Sequence, residues 1–284
     1  MEMKILLLGH GYIGSYLLNE LKKQGIDCTC LSQSPDPNNK DLIIENYKDL
    51  TSYYLSQFSH VLWFAGHSSV SQSMQDPIGA VSNNVTNLYD LGKKIGRETK
   101  LIYASSASIY SGLAERQFAK IEDGVLASQN IYDASKKAFD LIVTSLPIES
   151  VGLRMGTVCG VSPKTRTELI FNAMNISAIE QGVVNVSNSK NQRTLLFLSD
   201  LKATILQLLE PDSKEYENKF YNAGSTNLSI GQIGKRIANY YNVPLIDHGQ
   251  DGAYSFNMEI PIEQEYQDVI IENQCAKFEM EYAQ

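Results

Sequence analysis

The chain has 284 residues and a formal net charge of −8. That length buries a full core without disulfide or metal staples. The acidic balance argues against nucleic acid as a partner, because a phosphate-binding face needs a basic excess. The apolar run Ile5 to Leu8 is too short for the core of a secretory leader, and no stretch could span a bilayer. A cytoplasmic protein with no membrane contact is therefore expected. Of the four cysteines, Cys28 and Cys30 share one face of a strand, and no second pair or nearby histidine completes a metal spacing. They read as small packing residues, and no metal site is expected.

In chain order, Lys4 to Leu8 reads as a strand, and Ile13, Leu17, Leu18 and Leu21 then recur at helical spacing until Gly25. Strands are predicted at Cys28 to Leu31, Leu42 to Ile44 and Val61 to Phe64. Asp76-Pro77 marks a helix start, a cap followed by proline at the first helical position, and that helix is predicted to run to about Arg97. Leu101 to Tyr103 is the next strand, Tyr132 to about Ser145 a helix, and Val151 to Arg154 the strand after it. Apolar strands alternating with amphipathic helices predict an α/β fold, a Rossmann-type doubly wound parallel sheet, over residues 1–155. After Gly156 the rhythm changes. A helix at Leu169 to Gln181 leads to strands at Val183 to Val186 and Thr194 to Leu198. Asp200 can cap a helix, Phe220 to Asn222 is another strand, and Ser229 and Gln232 have capping-box spacing before a helix ending near Tyr241. The last forty residues show no clear periodicity. Residues 156–284 are expected to form mainly a small, irregular substrate-binding part, interleaved with returns to the main sheet around 194–222.

Two constellations carry chemistry. Gly9-His10-Gly11-Tyr12-Ile13-Gly14 joins the first strand to the first helix. Glycines there allow a tight turn and close backbone approach to a pyrophosphate, and the helix end supplies free N–H groups. The second strand ends Leu31-Ser32-Gln33-Ser34, without the acid that usually meets the ribose of NAD, and no arginine stands there for a 2′-phosphate. The cofactor is NAD or NADP, with a slight lean to NADP, and Ser32 is placed against it. In Tyr132-Asp133-Ala134-Ser135-Lys136 the phenol and the ammonium lie one helical turn apart on one face. A nearby ammonium favours the phenolate of a group that ordinarily titrates near ~10, so the pair can move a proton to or from an alcohol oxygen. Alone, such a pair is often a solvated helix face. Here Leu101 to Gly112 adds a strand ending in clustered hydroxyls, where open parallel sheets bind ligands.

Together these segments resemble the extended short-chain dehydrogenase/reductases, within them the NAD-dependent epimerase/dehydratase group acting on nucleotide sugars. Gly11-Tyr12-Ile13-Gly14-Ser15 resembles the family's Gly-Phe-Ile-Gly-Ser turn, in a loop one residue tighter than usual. Val61 to His67, with Ser69-Val70 and Asp76-Pro77, resembles its fourth strand and cofactor-lining loop, which puts Ala65, Gly66 and His67 against the cofactor. Asn84-Val85 matches the opening of its next motif. Ser105-Ser106-Ala107-Ser108-Ile109-Tyr110 resembles its Ser-Ser-x-x-Val-Tyr segment. The resemblance implies Ser106, Tyr132 and Lys136 as catalytic residues, with Lys136 also on the cofactor ribose. It implies Arg193 on the substrate, gripping a diphosphate, and a surface arginine at a strand edge is the other reading of Arg193; Arg166 is the reserve for that role, and Ser108 is also placed at the substrate. Dehydratases of this group carry an Asp-Glu pair where this chain has Ala107 and Ser108, which disfavours dehydration. Leu153 to Gly160 departs from the family pattern at Thr157 and Cys159, which affects substrate specificity.

The expected activity is hydride transfer on a nucleotide-activated sugar, as a 4-epimerase or a 4-ketoreductase. The alternatives are an NADP-dependent reductase of a non-sugar ketone and an inactive dinucleotide-sensing protein, which would be expected to have lost Tyr132 or Lys136 first. A homodimer built on two long helices is implied by the resemblance, with Leu88, Tyr89, Phe139 and Ile142 either at its seam or in the core.

Overall fold

Ile5 to Leu8 are all inaccessible to solvent, as expected of a strand covered on both faces, where each such side chain contributes roughly 1.5–3 kcal/mol by burial. They belong to β1 (Lys4–Leu8), an interior strand of a seven-stranded parallel sheet. The computed structural model describes residues 3–39, 42–111, 118–121, 123, 128, 130–210, 220–249, 255–260 and 267–283. Gly112, the last residue of the hydroxyl-rich stretch, lies outside them.

The chain divides into two units. The first comprises Met1–Ile109, Ala127–Arg154 and Ile205–Tyr221. It contains α1 (Tyr12–Lys23), β2 (Asp27–Ser32), β3 (Ile43–Ile44), α2 (Ser52–Leu55), β4 (His60–Trp63), α3 (Val70–Gln75), α4 (Pro77–Val81), α5 (Asn87–Lys94), β5 (Lys100–Ser106), α6 (Ile131–Val143) and β6 (Ser150–Met155). With β10 (Phe220–Ala223) the sheet order is β10-β6-β5-β4-β1-β2-β3. The chain reverses its winding between β1 and β4, the switch point at which open α/β sheets bind ligands. The predicted strands and the helices at α1 and α6 stand within a few residues of expectation.

The predicted helix from Asp76 to Arg97 is more complex. Asp76 does cap it, accepting from Gly79 N at 2.9 Å. The helix then widens into a π-helical stretch, Ser82–Thr86, and ends at Lys94. The helix Val70–Gln75, capped by Ser69, was not predicted. Its core is led by Trp63, Phe58, Tyr103 and Phe139, with Leu88 and Leu91 among the buried residues.

The second unit comprises Tyr110–Leu126, Met155–Thr204 and Asn222–Gln284. It holds β7 (Thr157–Cys159), α7 (Ile170–Gln181), β8 (Val184–Val186), β9 (Gln192–Phe197), the first half of α8 (Leu198–Leu209), β11 (Thr226–Ser229), α9 (Ile230–Tyr241), β12 (Leu245–Asp247) and α10 (Gln267–Tyr282). Three expectations are corrected here. The strand near 194–198 does not return to the main sheet: β9 lies between β7 and β11 in a sheet of its own, and β10 is the strand that returns. Asp200 stands inside the first turn of α8 rather than capping it. The C-terminal region carries a sixteen-residue helix, whose buried stripe is Ile271, Cys275 and Phe278. The capping box at Ser229 and Gln232 is formed as expected. Among the described residues, no helix is long and apolar enough to cross a membrane.

Candidate active site

At the switch point, Gly9 adopts φ +105°, open to glycine at little cost. Its N–H donates to Leu31 O at 2.9 Å. A Cβ on Gly9 would lie 2.8 Å from the backbone of Ala65, and one on Gly14 would lie 1.9 Å from Gly9 O. Both glycines are therefore required by close packing. Gly11 differs, since a Cβ there would meet nothing within 4 Å. It is also the N-cap of α1, an end with no side-chain cap, which leaves the positive end of the helix available to an anion. Tyr12 is buried behind the loop and Ile13 half-buried.

His10 is buried in this loop, its Nδ1 3.2 Å from Asp36 Oδ2 and its Nε2 3.4 Å from Asn39 Nδ2. Asp36 thus brings a carboxylate near the glycine turn from four residues beyond β2, which no local pattern announced. Ser32 is buried, and its Oγ accepts from Ser34 N at 3.2 Å.

The end of β4 is tied to that of β1 by Phe64 N donating to Leu8 O at 2.9 Å, which sets Ala65, Gly66 and His67 beside the glycine loop. A Cβ on Gly66 would lie 2.4 Å from Asn84 Oδ1 and 3.3 Å from Lys136 Nζ. Asn84 sits in the π-helical stretch, a feature frequent at functional sites. It donates to Ser135 Oγ at 2.9 Å and His67 O at 3.3 Å, while its Oδ1 is buried with no hydrogen-bond partner among the described residues. A buried acceptor of this kind costs free energy unless something fills the role. His67 Nε2 lies 3.5 Å from Asp76 Oδ2.

On α6, Lys136 Nζ donates to Ala104 O on β5 at 2.8 Å and stands 5.8 Å from the centre of the Tyr132 ring. Burial pushes its pKa down to about 8, against the pull of Asp140 one turn on. Asp140 belongs to a buried set: Arg154 Nε donates to it at 3.0 Å, Tyr103 Oη at 2.9 Å, and Arg154 stacks 4.3 Å over Phe220. Asp140 falls at i+4 from Lys136, a spacing legible in the sequence but not read there.

Ser106, at the end of β5, is bonded to Ser108 Oγ at 2.9 Å. Ser108 is buried and its hydroxyl donates to Asp133, whose other oxygen accepts from Asn130 Nδ2 at 2.7 Å. Asn130 also caps α6, accepting from Asp133 N at 2.9 Å. The Asn-x-x-Asp capping spacing of Asn130 and Asp133 is the signal in the sequence that marks Asp133.

The predicted catalytic and cofactor residues are thus gathered in the first unit. Arg166 and Arg193 belong to the second. Arg166 pairs with Glu168 at 2.7 Å, and Arg193, on the central strand β9, donates to Gln192 O at 2.7 Å with its guanidinium 5.3 Å from the Phe256 ring centre.

A dinucleotide fits the first unit. The open Cα of Gly11 beside an uncapped helix end suits a pyrophosphate, and the unpartnered Asn84 Oδ1 beside Gly66 and Lys136 is a buried acceptor left for a bound group.

The model of the NAD-dependent epimerase/dehydratase family matches residues 5–224. The chain is 24% identical over 268 residues to Protein CapI of Staphylococcus aureus, covering 79% of each chain. It is 25% identical over 271 residues to UDP-glucose 4-epimerase of Lactobacillus helveticus, covering 83% of this chain and 82% of that one. The solved structure of TunA, an NAD-dependent NDP-hexosamine 5,6-dehydratase of tunicamycin biosynthesis, superposes with a TM-score of 0.80 at 17% identity, covering 99% of this chain and 98% of that one. At that identity the last likeness speaks for the fold.

Proposed function

Because the chain belongs to the NAD-dependent epimerase/dehydratase family, we propose that it transfers hydride at a ring carbon of a nucleotide-activated sugar, as a 4-epimerase or a 4-ketoreductase. The observation that carries this reading is the buried Lys136, one turn from Tyr132 and beside the Gly66–Asn84 cradle. Tyr132 is the acid/base that takes the proton of the sugar hydroxyl or returns it to a ketone oxygen. Lys136 favours the phenolate and holds the ribose. Ser106 orients the reacting oxygen. A bound nicotinamide supplies the hydride acceptor and donor. Gly9, Gly11, Tyr12, Ile13 and Gly14 hold the pyrophosphate, with Ser32, Ala65, Gly66, His67 and Asn84 along the rest of the dinucleotide. Arg193 grips the sugar nucleotide's diphosphate through its guanidinium fork, with Arg166 as the reserve candidate for that role.

The family description and the TunA likeness name NAD, and Asp36 brings a carboxylate toward the loop; the lean to NADP drawn from the end of β2 finds no support here. Ala107 and Ser108, standing where dehydratases carry acids, still speak against dehydration.

Native mass spectrometry of the purified protein tests the reading. Retained dinucleotide favours epimerisation, since an epimerase must recover its hydride within one turnover; freely exchanging dinucleotide favours reduction. A retained nucleotide sugar names the substrate class. In the same assay system, Tyr132→Phe lowers turnover by roughly a hundredfold or more while dinucleotide affinity holds, and Lys136→Ala impairs both. A protein that binds neither dinucleotide nor nucleotide sugar, or a phenylalanine variant with full turnover, overturns it.

A further inference from the structure

Resting on the reading of Ser106 as the residue that orients the reacting oxygen, we propose that Asp133 is a positioning residue that sets, through Ser108, the direction in which Ser106 gives its hydrogen. A serine hydroxyl has one hydrogen to donate. Ser108 gives its own to Asp133 Oδ1, so in the 2.9 Å bond between the two serines Ser106 is the donor. The Ser108 backbone N–H, donating to Ser106 Oγ at 3.3 Å, fits that polarity. With Asp133 ionised, the Ser106 hydrogen is thus drawn to Ser108, and a substrate oxygen meets chiefly the lone pairs of Ser106. Protonation of Asp133 reverses the chain. The acid donates to Ser108, Ser108 to Ser106, and Ser106 to the substrate oxygen. No bond to carbon changes; one proton on Asp133 decides whether the site offers a donor to a ketone or alkoxide oxygen.

The setting allows Asp133 to hold that proton. It is 1% exposed, and burial raises its pKa against the hydrogen bonds of Ser108 and Asn130 and the charge of Lys137. Lys136, Lys137 and Asp140 are the charged groups on its own helix. On the helices packed against α6 they are Asp76, paired with His67, and Asp90, Lys93 and Lys94 of α5. β5, also packed against α6, carries Lys100 and Tyr103, the latter bonded to Asp140, and Ser106 and Ser108 present hydroxyls toward Asp133.

The test joins a pH profile to a direct titration. In the wild type, kcat/KM for ketone reduction falls roughly five- to tenfold as Asp133 ionises, the effect of one competing hydrogen bond. That limb is absent in Asp133→Asn, because Asn130 Nδ2 claims the amide oxygen and leaves the amide N–H₂ donating to Ser108. It is absent too in Ser108→Ala, which frees the Ser106 hydrogen at every pH. The ¹³C carboxyl resonance of Asp133, identified by its loss in Asp133→Asn, titrates above the ordinary aspartate range near ~3.9 and moves further up in Ser108→Ala, where a donor to the carboxylate is lost. Ordinary titration of Asp133, or an unaltered limb in both variants, overturns the proposal. A wild type inert toward every nucleotide sugar sinks the functional reading instead, and the resonance and its response to Ser108→Ala still decide this one.

Discussion

Lys136 joins two demands that conflict: its ammonium must stay charged to act on Tyr132 and the ribose, yet it is buried where charge is costly. The result is a pKa near 8. As pH rises through about 8 the ammonium loses its proton, so kcat/KM is expected to fall there. Folding stability moves the other way. Between about 8 and the unfolded value near ~10.4 the unfolded chain binds more protons at this residue, so its contribution to stability rises with pH. Lys136→Arg, which does not titrate in this range, should abolish the kinetic limb whatever its effect on the rate. A wild-type profile flat well beyond pH 8 would show that the charge on Lys136 has no part in the chemistry.

The turn between β1 and α1 separates two roles for glycine. Gly14 meets Gly9 O so closely that a Cβ cannot enter, and Gly14→Ala is expected to lower stability by several kcal/mol or prevent folding, as overpacking and backbone displacement do. Gly11 has open space around its Cα and a negative φ of −91°. Gly11→Ala should therefore fold with nearly unchanged urea midpoint while dinucleotide affinity drops at least tenfold, because the methyl group stands where the pyrophosphate would approach. Equal loss of stability in both variants would remove the distinction. The π-helical stretch makes a similar point for helices: one widened turn aims Asn84 at Ser135 and His67 O, which a regular 3.6-residue repeat would not foretell.

At the scale of the whole molecule, a second copy of the chain is the expected partner. Of the four residues considered for a helical seam, Leu88 and Phe139 are buried in the core of the first unit and Tyr89 packs against it. The exposed aliphatic side chains on the neighbouring helices α4 and α6 are instead Ile78, Val81 and Leu141, at 80%, 39% and 60% exposure. Large apolar groups left on adjacent helices fit a surface covered by another chain better than one facing water. A homodimer of the 31.6 kDa chain is expected by light scattering at micromolar concentration. Ile78→Glu with Leu141→Glu should yield a monomer of unchanged far-ultraviolet dichroism. A monomeric wild type, or a double variant that still dimerises, would refute this seam.

Periodicity and turn chemistry were enough to read the parallel sheet, the glycine loop and the pairing of Tyr132 with Lys136, because each rests on neighbours within one turn or one strand. The same local rules located the caps at Asp76 and Ser229. They could not read what depends on separation along the chain. β9 looks like any apolar strand, and its place between β7 and β11 follows from partners thirty or more residues away. The stripe on α10 is short and set among Glu and Gln, so its burial becomes evident only against the core it covers. Asp36 reaches His10, and Asp133 reaches Ser108, only because folding brings separate segments within hydrogen-bonding distance. Sequence determined which residues could do chemistry; tertiary structure decided which were buried together, and burial is what turns a common carboxylate or ammonium into one with a shifted pKa and a fixed partner.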